Sequence, residues 1–311
     1  MFRLSIVVIL LAATLSTAQK LDDRDYKVRV DVELVQLPVS VLDKKGFPIR
    51  DLQQEYFAVF EDKILQNISL FKQEDIPLSV GLVVDTSSSM YDKLDKLNSA
   101  AMTFVQESNP KDETAVVSFG SGVDLVQDFT TDQAELNNAL QGIVPHGMTA
   151  FYDAVVLAAN HLAENGAREK KVLFVISDGE DNQSRYSLED AVKAITELKV
   201  SVYSIGLSSP YDAFNSSALS GRAKKALKQL AEVTGGEAFF PGSVKDVQKV
   251  CARVARDLRN QYTIGYRPSN DKLDGSWRKT VVKLNLPKTA PKAQVRTKQG
   301  YYAPLAAEAR R

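Results

Sequence analysis

A short run of oxygen-bearing side chains follows an apolar stretch in the first third of the chain. Residues 82–84 are apolar, Asp85 follows them, and Ser87 and Ser89 carry hydroxyl groups at alternate positions. One carboxylate and two neutral hydroxyls are hard oxygen ligands, which suit Mg²⁺ better than zinc or a haem. The same residue types are common N-caps of helices, so this run alone leaves a purely capping role open.

Two later stretches offer side chains of the same kind. The apolar segment 172–177 leads directly to Asp178, and a Gly-Met-Thr loop that ends at Thr149 precedes a helical pattern. Parallel strands end at the same edge of a sheet, which is where open α/β sheets bind their ligands. We therefore expect five side chains to meet there as ligands of Mg²⁺, Mn²⁺ or another divalent cation: Asp85, Ser87, Ser89, Thr149 and Asp178.

Other polar residues near these stretches receive plainer interpretations. His146 is interpreted as a loop histidine without a role, and Glu180 and Asp181 as solvated residues where the next helix begins. The polar segment Ser208–Gly221 leaves the carboxyl end of a predicted strand, and long loops at such ends are often functional. It is the best candidate for partner specificity, with a disordered insertion as the alternative.

The middle of the chain alternates strands with amphipathic helices. Four segments have the apolar pattern of buried strands: 78–84, 115–119, 172–177 and 202–207. Helical spacing between them predicts an α/β fold with a doubly wound, mostly parallel sheet that is covered on both faces. Segment 123–129 follows the second strand after a loop too short for a crossover, which predicts one antiparallel edge strand.

The segments on either side are rich in β patterns. Residues 19–76 and 261–305 contain short alternating strands, but neither segment is long enough to bury a core comfortably. The simplest organisation is one β-sandwich-like domain built from both segments, with an α/β domain over 77–260 inserted between them. Two separate β caps are the alternative. Residues 306–311 are expected to be a tail.

Residues 1–18 have the pattern of a cleaved export signal. Arg3 supplies a basic start, residues 4–15 are apolar, and Ser16-Thr17-Ala18 is a small-residue cleavage site. We expect cleavage after Ala18 and a secreted or periplasmic protein, because an uncleaved anchor would need a longer apolar span. No later segment is apolar enough to cross a bilayer, so no transmembrane anchor is expected after cleavage.

The composition argues against several classes of function. Lys plus Arg and Asp plus Glu number 39 each, so no overall charge attracts nucleic acid. One cysteine and two histidines argue against a disulfide framework and against zinc chemistry. Neither a phosphate-binding Gly-x-x-x-x-Gly-Lys loop nor a Gly-x-Ser-x-Gly elbow is present. We expect a binding protein and not an enzyme. Two alternatives remain: a metal-dependent phosphate hydrolase using Asp85 and Asp178, and a structural envelope component whose metal stabilises the fold.

In chain order, the Asp-x-Ser-x-Ser run, the Gly-x-Thr loop and the strand-Asp-Gly segment resemble the von Willebrand factor type A (VWA) domain. The resemblance covers roughly 78–260, and Gly-Tyr-Arg-Pro at 265–268 and Gly-Tyr-Tyr at 300–302 resemble exported VWA proteins common in acidobacteria. It implies a partner protein that completes the cation's coordination with an Asp or Glu carboxylate. It also implies a metal-ion-dependent adhesion site formed by Asp85, Ser87, Ser89, Thr149 and Asp178.

Overall fold

A computed structural model describes residues 34–178, 180–207, 220–287, 290 and 292–305. The expected export signal, the tail 306–311 and residues 208–219 of the candidate specificity loop lie outside the described residues. The strands are β1 (Val35–Asp43), β2 (Phe57–Glu61), β3 (Ile64–Gln66), β4 (Ile68–Gln73), β5 (Leu78–Asp85), β6 (Glu113–Phe119), β7 (Val123–Thr130), β8 (Lys170–Ser177), β9 (Ser201–Gly206), β10 (Ala238–Phe239), β11 (Tyr262–Tyr266), β12 (Trp277–Leu284), β13 (Ala293–Thr297) and β14 (Gly300–Tyr302). The helices are α1 (Leu94–Glu107), α2 (Gln133–Gln141), α3 (Phe151–Asn165), α4 (Leu188–Glu197), α5 (Gly221–Val233) and α6 (Val244–Leu258), with 3-10 helices at Gln54–Tyr56 and Ser88–Lys93.

The central sheet has six strands in the order β10-β9-β8-β5-β6-β7. All neighbouring strands are parallel except β6 and β7, which form an antiparallel pair at one edge. This confirms the predicted doubly wound, mostly parallel sheet with one antiparallel edge strand. Every residue of β5 is buried, as expected for a strand covered on both faces.

Helices cover the two faces of this sheet and give it two apolar cores. On one face, α1, α2 and α6 pack on the sheet, and Phe104 stacks on Phe174 with ring centroids 4.4 Å apart. On the other face, α3, α4 and α5 bury side chains such as Leu162 and Leu227. The Ser187 hydroxyl and the Asp190 carboxylate cap α4 reciprocally. The helices therefore hold the strand ends in fixed positions.

The two flanking segments build two further sheets together. Their strand orders are β13-β1-β11-β4 and β14-β12-β2-β3, so each sheet contains strands from before and after the α/β segment. A third apolar core, which includes Leu37, Val59 and Tyr262, lies between them. The sequence patterns did not predict β3, β13 and β14, which are only three to five residues long. The pairing favours one shared β region over two separate caps.

A charged network joins the β region to the central sheet. Arg296, on β13, forms ion pairs with Glu237 and with Asp257 near the end of α6. Tyr203, fully buried on β9, donates a hydrogen bond of 2.8 Å to Asp257. Lys170, the first residue of β8, donates to the carbonyl next to Asp257, so this network lies towards the amino ends of the parallel strands.

The topology of the sheet creates a crevice at the opposite end. Strands β5 and β8 are neighbours, but the chain leaves β5 towards β6 on one side and leaves β8 towards β9 on the other. Open α/β sheets bind ligands at such a switch point, outside the carboxyl ends of the strands. None of the described helices has the length and apolar character of a membrane span.

Candidate functional site

Two carboxylates lie side by side at the switch point. Asp85 is the last residue of β5, and Asp178 directly follows Ser177, the last residue of β8. Asp85 is completely buried and Asp178 is 8% exposed. Ser177 Oγ donates to Asp85 Oδ2 at 2.6 Å, and the backbone N–H of Ser87 donates to Asp85 Oδ1 at 2.9 Å. Both oxygens of Asp85 are therefore fixed by the protein.

The two predicted serines connect these carboxylates. Ser87 Oγ lies 3.0 Å from Ser89 Oγ, and Ser89 Oγ donates to Asp178 Oδ2 at 2.5 Å. Ser87 precedes the 3-10 helix Ser88–Lys93, but its side chain makes no capping hydrogen bond. The capping alternative is therefore not supported, since the hydroxyls point to each other and to a carboxylate.

The Thr149 loop is fastened to both strand ends through its backbone. The Gly147 carbonyl accepts hydrogen bonds of 3.2 and 3.1 Å from the N–H and the hydroxyl of Ser88. The Thr149 N–H donates to Asn182 Oδ1 at 2.9 Å, and the Asn182 N–H donates to the Thr149 carbonyl at 3.0 Å. These bonds hold buried Thr149 between the Ser87 and Asp178 loops.

Asp181 has a structural role that the sequence interpretation missed. The residue before α3 is Ala150, whose side chain cannot cap the helix. Asp181 Oδ1 accepts a hydrogen bond of 2.9 Å from the Phe151 N–H and another from the Ser184 hydroxyl. The interpretation of Asp181 as a merely solvated residue is therefore wrong, whereas Glu180 is exposed. The helix that begins without a polar cap was the signal that an acceptor must come from another loop.

The site has more negative charge than the protein balances. Burial, and secondly the charge of Asp178, raises the pKa of Asp85 to about 6. The ammonium group of Lys93 lies 3.6 Å from Asp178 Oδ2. The other oxygen, Asp178 Oδ1, is buried and has no hydrogen-bond partner in the part of the chain that the structure describes. A buried carboxylate oxygen without a partner is costly, so this atom is available to a cation.

The donor set fits a hard divalent cation. Hydroxyl and carboxylate oxygens are ligands that Mg²⁺ and Mn²⁺ accept, and Mg²⁺ is commonly held by one or two carboxylates. No group of three His, Cys, Asp or Glu side chains suited to a metal occurs among the described residues. A cation site here therefore depends on serine and threonine hydroxyls in addition to the two carboxylates.

Two large apolar side chains are exposed next to the candidate ligands. Tyr91, two residues after Ser89, is 75% exposed, and Met148, which precedes Thr149, is 47% exposed. His146 is exposed as well, and its Nδ1 lies 2.9 Å from the Val144 carbonyl. Tyr91 and Met148, here called the apolar rim, are thus exposed and close in sequence to candidate ligands.

Comparison with known proteins identifies the segment that carries this cluster. Residues 80–180 match the family model of the von Willebrand factor type A domain, and this range contains all five candidate ligands. A comparison with curated proteins finds no match. Solved structures similar to the chain include the conserved hypothetical protein BatB from Bacteroides thetaiotaomicron, with a TM-score of 0.49 and 19% identity over 58% of this chain and 98% of that one.

Two other similar structures are named after pili. The vWF domain of the type V pili tip protein Mfa5 from Porphyromonas gingivalis has a TM-score of 0.48 and 15% identity, over 58% of this chain and 95% of that chain. The pilus adhesin SpaC from Lactobacillus rhamnosus GG has a TM-score of 0.49 and 10% identity, over 86% of this chain and 48% of that chain.

Proposed function

Because residues 80–180 match the family model of the von Willebrand factor type A domain, we propose that this chain binds a partner protein through a divalent cation at the carboxyl end of its sheet. The observation that carries the proposal is the buried Oδ1 of Asp178, which has no hydrogen-bond partner among the described residues, while the Ser89 hydroxyl contacts its other oxygen. The proposed ligands of the cation are Asp85, Ser87, Ser89, Thr149 and Asp178.

The charges around the proposed site favour an acidic partner. A bound Mg²⁺ or Mn²⁺ supplies positive charge and a coordination position for an outside oxygen. Two carboxylates balance a divalent cation, and the nearby Lys93 ammonium then leaves the loaded site with net positive charge. An Asp or Glu carboxylate of a partner protein is the oxygen ligand that restores the balance.

The apolar rim supports a protein partner over a free anion. Tyr91 and Met148 expose apolar surface within three residues of proposed ligands. Tyrosine and methionine are enriched at the buried centres of protein interfaces. A protein segment with an acidic residue among apolar neighbours would cover this rim while its carboxylate reaches the cation. The export pattern of residues 1–18 supports a partner in the periplasm or outside the cell.

Cation binding is the first test. Titration with Mn²⁺, followed by electron paramagnetic resonance, should give one site per chain. We expect Asp178→Asn to weaken binding by at least about 100-fold, because even groups that only support metal ligands contribute roughly 10- to 100-fold. The control is Asp128→Asn, which makes the same substitution at an exposed aspartate on β7 and should leave Mn²⁺ binding unchanged.

Partner binding is the second test. Proteins of the cell envelope are captured on the immobilised chain in Mg²⁺ and in EDTA, and a synthetic peptide with one glutamate is compared with its glutamine counterpart. Capture that needs both Mg²⁺ and Asp178, with preference for the glutamate peptide, would support adhesion. A metal that raises the melting temperature without any capture would favour the structural alternative. Phosphoester hydrolysis that is lost in Asp85→Ala would favour the hydrolase.

A further inference from the structure

A lysine side chain lies within the proposed cation site. Lys93 is the last residue of the 3-10 helix Ser88–Lys93, and its Nζ is 3.6 Å from Asp178 Oδ2. The side chains of Lys93 and Asp178 are only 12% and 11% exposed, respectively. The chain therefore brings its own positive charge to a carboxylate that the proposed cation also needs.

The position of this lysine is set by the 3-10 helix that carries it, which one buried side chain anchors. Met90, in the same 3-10 helix, is completely buried in the core beneath α1. Ser89 and Lys93, from the two ends of this short segment, both reach Asp178 Oδ2, while Asp178 Oδ1 has no hydrogen-bond partner among the described residues. The ammonium group thus satisfies one oxygen of the carboxylate and leaves the other available.

Electrostatics makes the ammonium group and a bound cation competitors. Without a cation, Lys93 offsets the repulsion between the buried Asp85 and Asp178 side chains. With a divalent cation on Asp178, the same ammonium group would be repelled by the cation, and the repulsion is strong where little water screens it. A lysine held at low exposure also loses rotamer freedom, which it regains when it moves into solvent.

We propose that Lys93 is a built-in counter-ion of this site, which neutralises Asp178 until a divalent cation displaces it. The inference rests on the proposed function, because it concerns the same site. Once displaced, the ammonium group stays at the edge of the site, where it attracts the partner carboxylate that the cation also binds. Cation binding is therefore weak without an acidic partner and becomes stronger with one.

Three variants test this exchange by Mn²⁺ titration and by thermal unfolding of the metal-free protein. Lys93→Met keeps the length of the side chain and removes its charge, so it should bind Mn²⁺ about 10-fold or more tightly and unfold at a lower temperature without metal. Lys93→Arg keeps the charge and should stay within about threefold of wild type. The control is Lys193→Met, at an exposed position on α4, which should change neither quantity.

The outcomes separate this inference from the proposed function. If wild type binds Mn²⁺ and Lys93→Met binds it equally or more weakly, the proposed displacement of Lys93 by the cation is wrong. The proposed cation site is then still supported. If Lys93→Arg tightens binding as much as Lys93→Met, the effect comes from packing and the inference fails. If neither wild type nor Lys93→Met binds Mn²⁺, both proposals fail.

The coupling between cation and acid gives a second readout. A glutamate-containing peptide should raise the Mn²⁺ affinity of wild type by a larger factor than that of Lys93→Met, because the variant has no ammonium group for the carboxylate to meet. The glutamine counterpart of the peptide should have no effect on either protein. An equal gain in both proteins would contradict the role of Lys93 in coupling.

Discussion

The two ends of the central sheet contain buried charges that are satisfied to different degrees. At the amino end, Arg296 pairs with both Glu237 and Asp257, and the Tyr203 hydroxyl completes the surroundings of Asp257. At the carboxyl end, Lys93 pairs with Asp178, and the other oxygen of Asp178 has no hydrogen-bond partner among the described residues.

This difference indicates different roles. A network of paired charges fixes the arrangement of the elements that it joins, and here it joins the β region to the α/β domain. An under-satisfied cluster costs stability in isolation and has capacity for a ligand, which is a common property of functional sites. Variants at the two ends should therefore affect different measurements.

The largest effect is expected at the amino end of the sheet, where the charges are paired. Arg296→Met removes the cation that pairs with both Glu237 and Asp257, and Asp257 is only 4% exposed. Breaking one member of a buried charge network typically costs about 3–5 kcal/mol, so the free energy of unfolding should fall by that order. Urea denaturation measures the loss, and Mn²⁺ binding to the folded variant should be unchanged.

Arg222→Met is the matched control for that experiment, since Arg222 is exposed on α5. It should change stability by less than about 0.5 kcal/mol, as surface substitutions usually do. A loss of less than about 1 kcal/mol in Arg296→Met would contradict the importance of the network. If Arg296→Met also weakened Mn²⁺ binding, the two ends of the sheet would be coupled and not separate.

An intermediate effect is expected where the backbone shapes the site. Gly147 has a φ of +80°, and a Cβ there would overlap the Ser121 hydroxyl. Gly147→Ala should lower the free energy of unfolding by about 1–3 kcal/mol and should also weaken Mn²⁺ binding, because the Thr149 loop must shift.

Gly122 offers a matched control within the neighbouring hairpin loop. A Cβ at Gly122 meets nothing within 4 Å, so Gly122→Ala should preserve both stability and Mn²⁺ affinity. If Gly147→Ala reduced stability but left Mn²⁺ affinity intact, Thr149 would not need its present position to serve the cation.

The smallest effect is expected at a residue that only supports the site. Asn182→Ala removes the side-chain acceptor of the Thr149 N–H, while the backbone bond between the two residues can remain. Mn²⁺ affinity should fall roughly 10-fold, the lower range for groups that orient metal ligands, with little change in melting temperature. Asn98→Ala removes a side-chain bond of the same length elsewhere and should leave affinity unchanged.

The sequence predicted the central fold well because its strands and helices have clear periods. The buried strands β5, β6, β8 and β9 are apolar runs, and a loop too short for a crossover identified the antiparallel partner of β6. The short strands β3, β13 and β14 had no such signal. Their pairing depends on neighbours that are distant along the chain, such as Ser40 opposite Arg296.

The supporting residues of the site could not be predicted in the same way. Asp181 and Asn182 follow Asp178 closely in sequence, but their partners lie about 30 residues earlier, at the start of α3. No pattern in the sequence distinguishes Lys93 from other lysines near the start of a helix. Only the packing of the 3-10 helix against the β8 end brings its ammonium group to Asp178.

The sequence by itself determined the chemical nature of the candidate site. The types, spacing and order of Asp85, Ser87, Ser89, Thr149 and Asp178 predict oxygen ligands at the carboxyl ends of parallel strands, because strand periodicity and helix alternation are local properties. The tertiary structure alone decided how satisfied each charge is. Hydrogen bonds and ion pairs between distant segments depend on their positions in space, so only the fold distinguishes the balanced charges around Arg296 from the unbalanced pair Asp85 and Asp178.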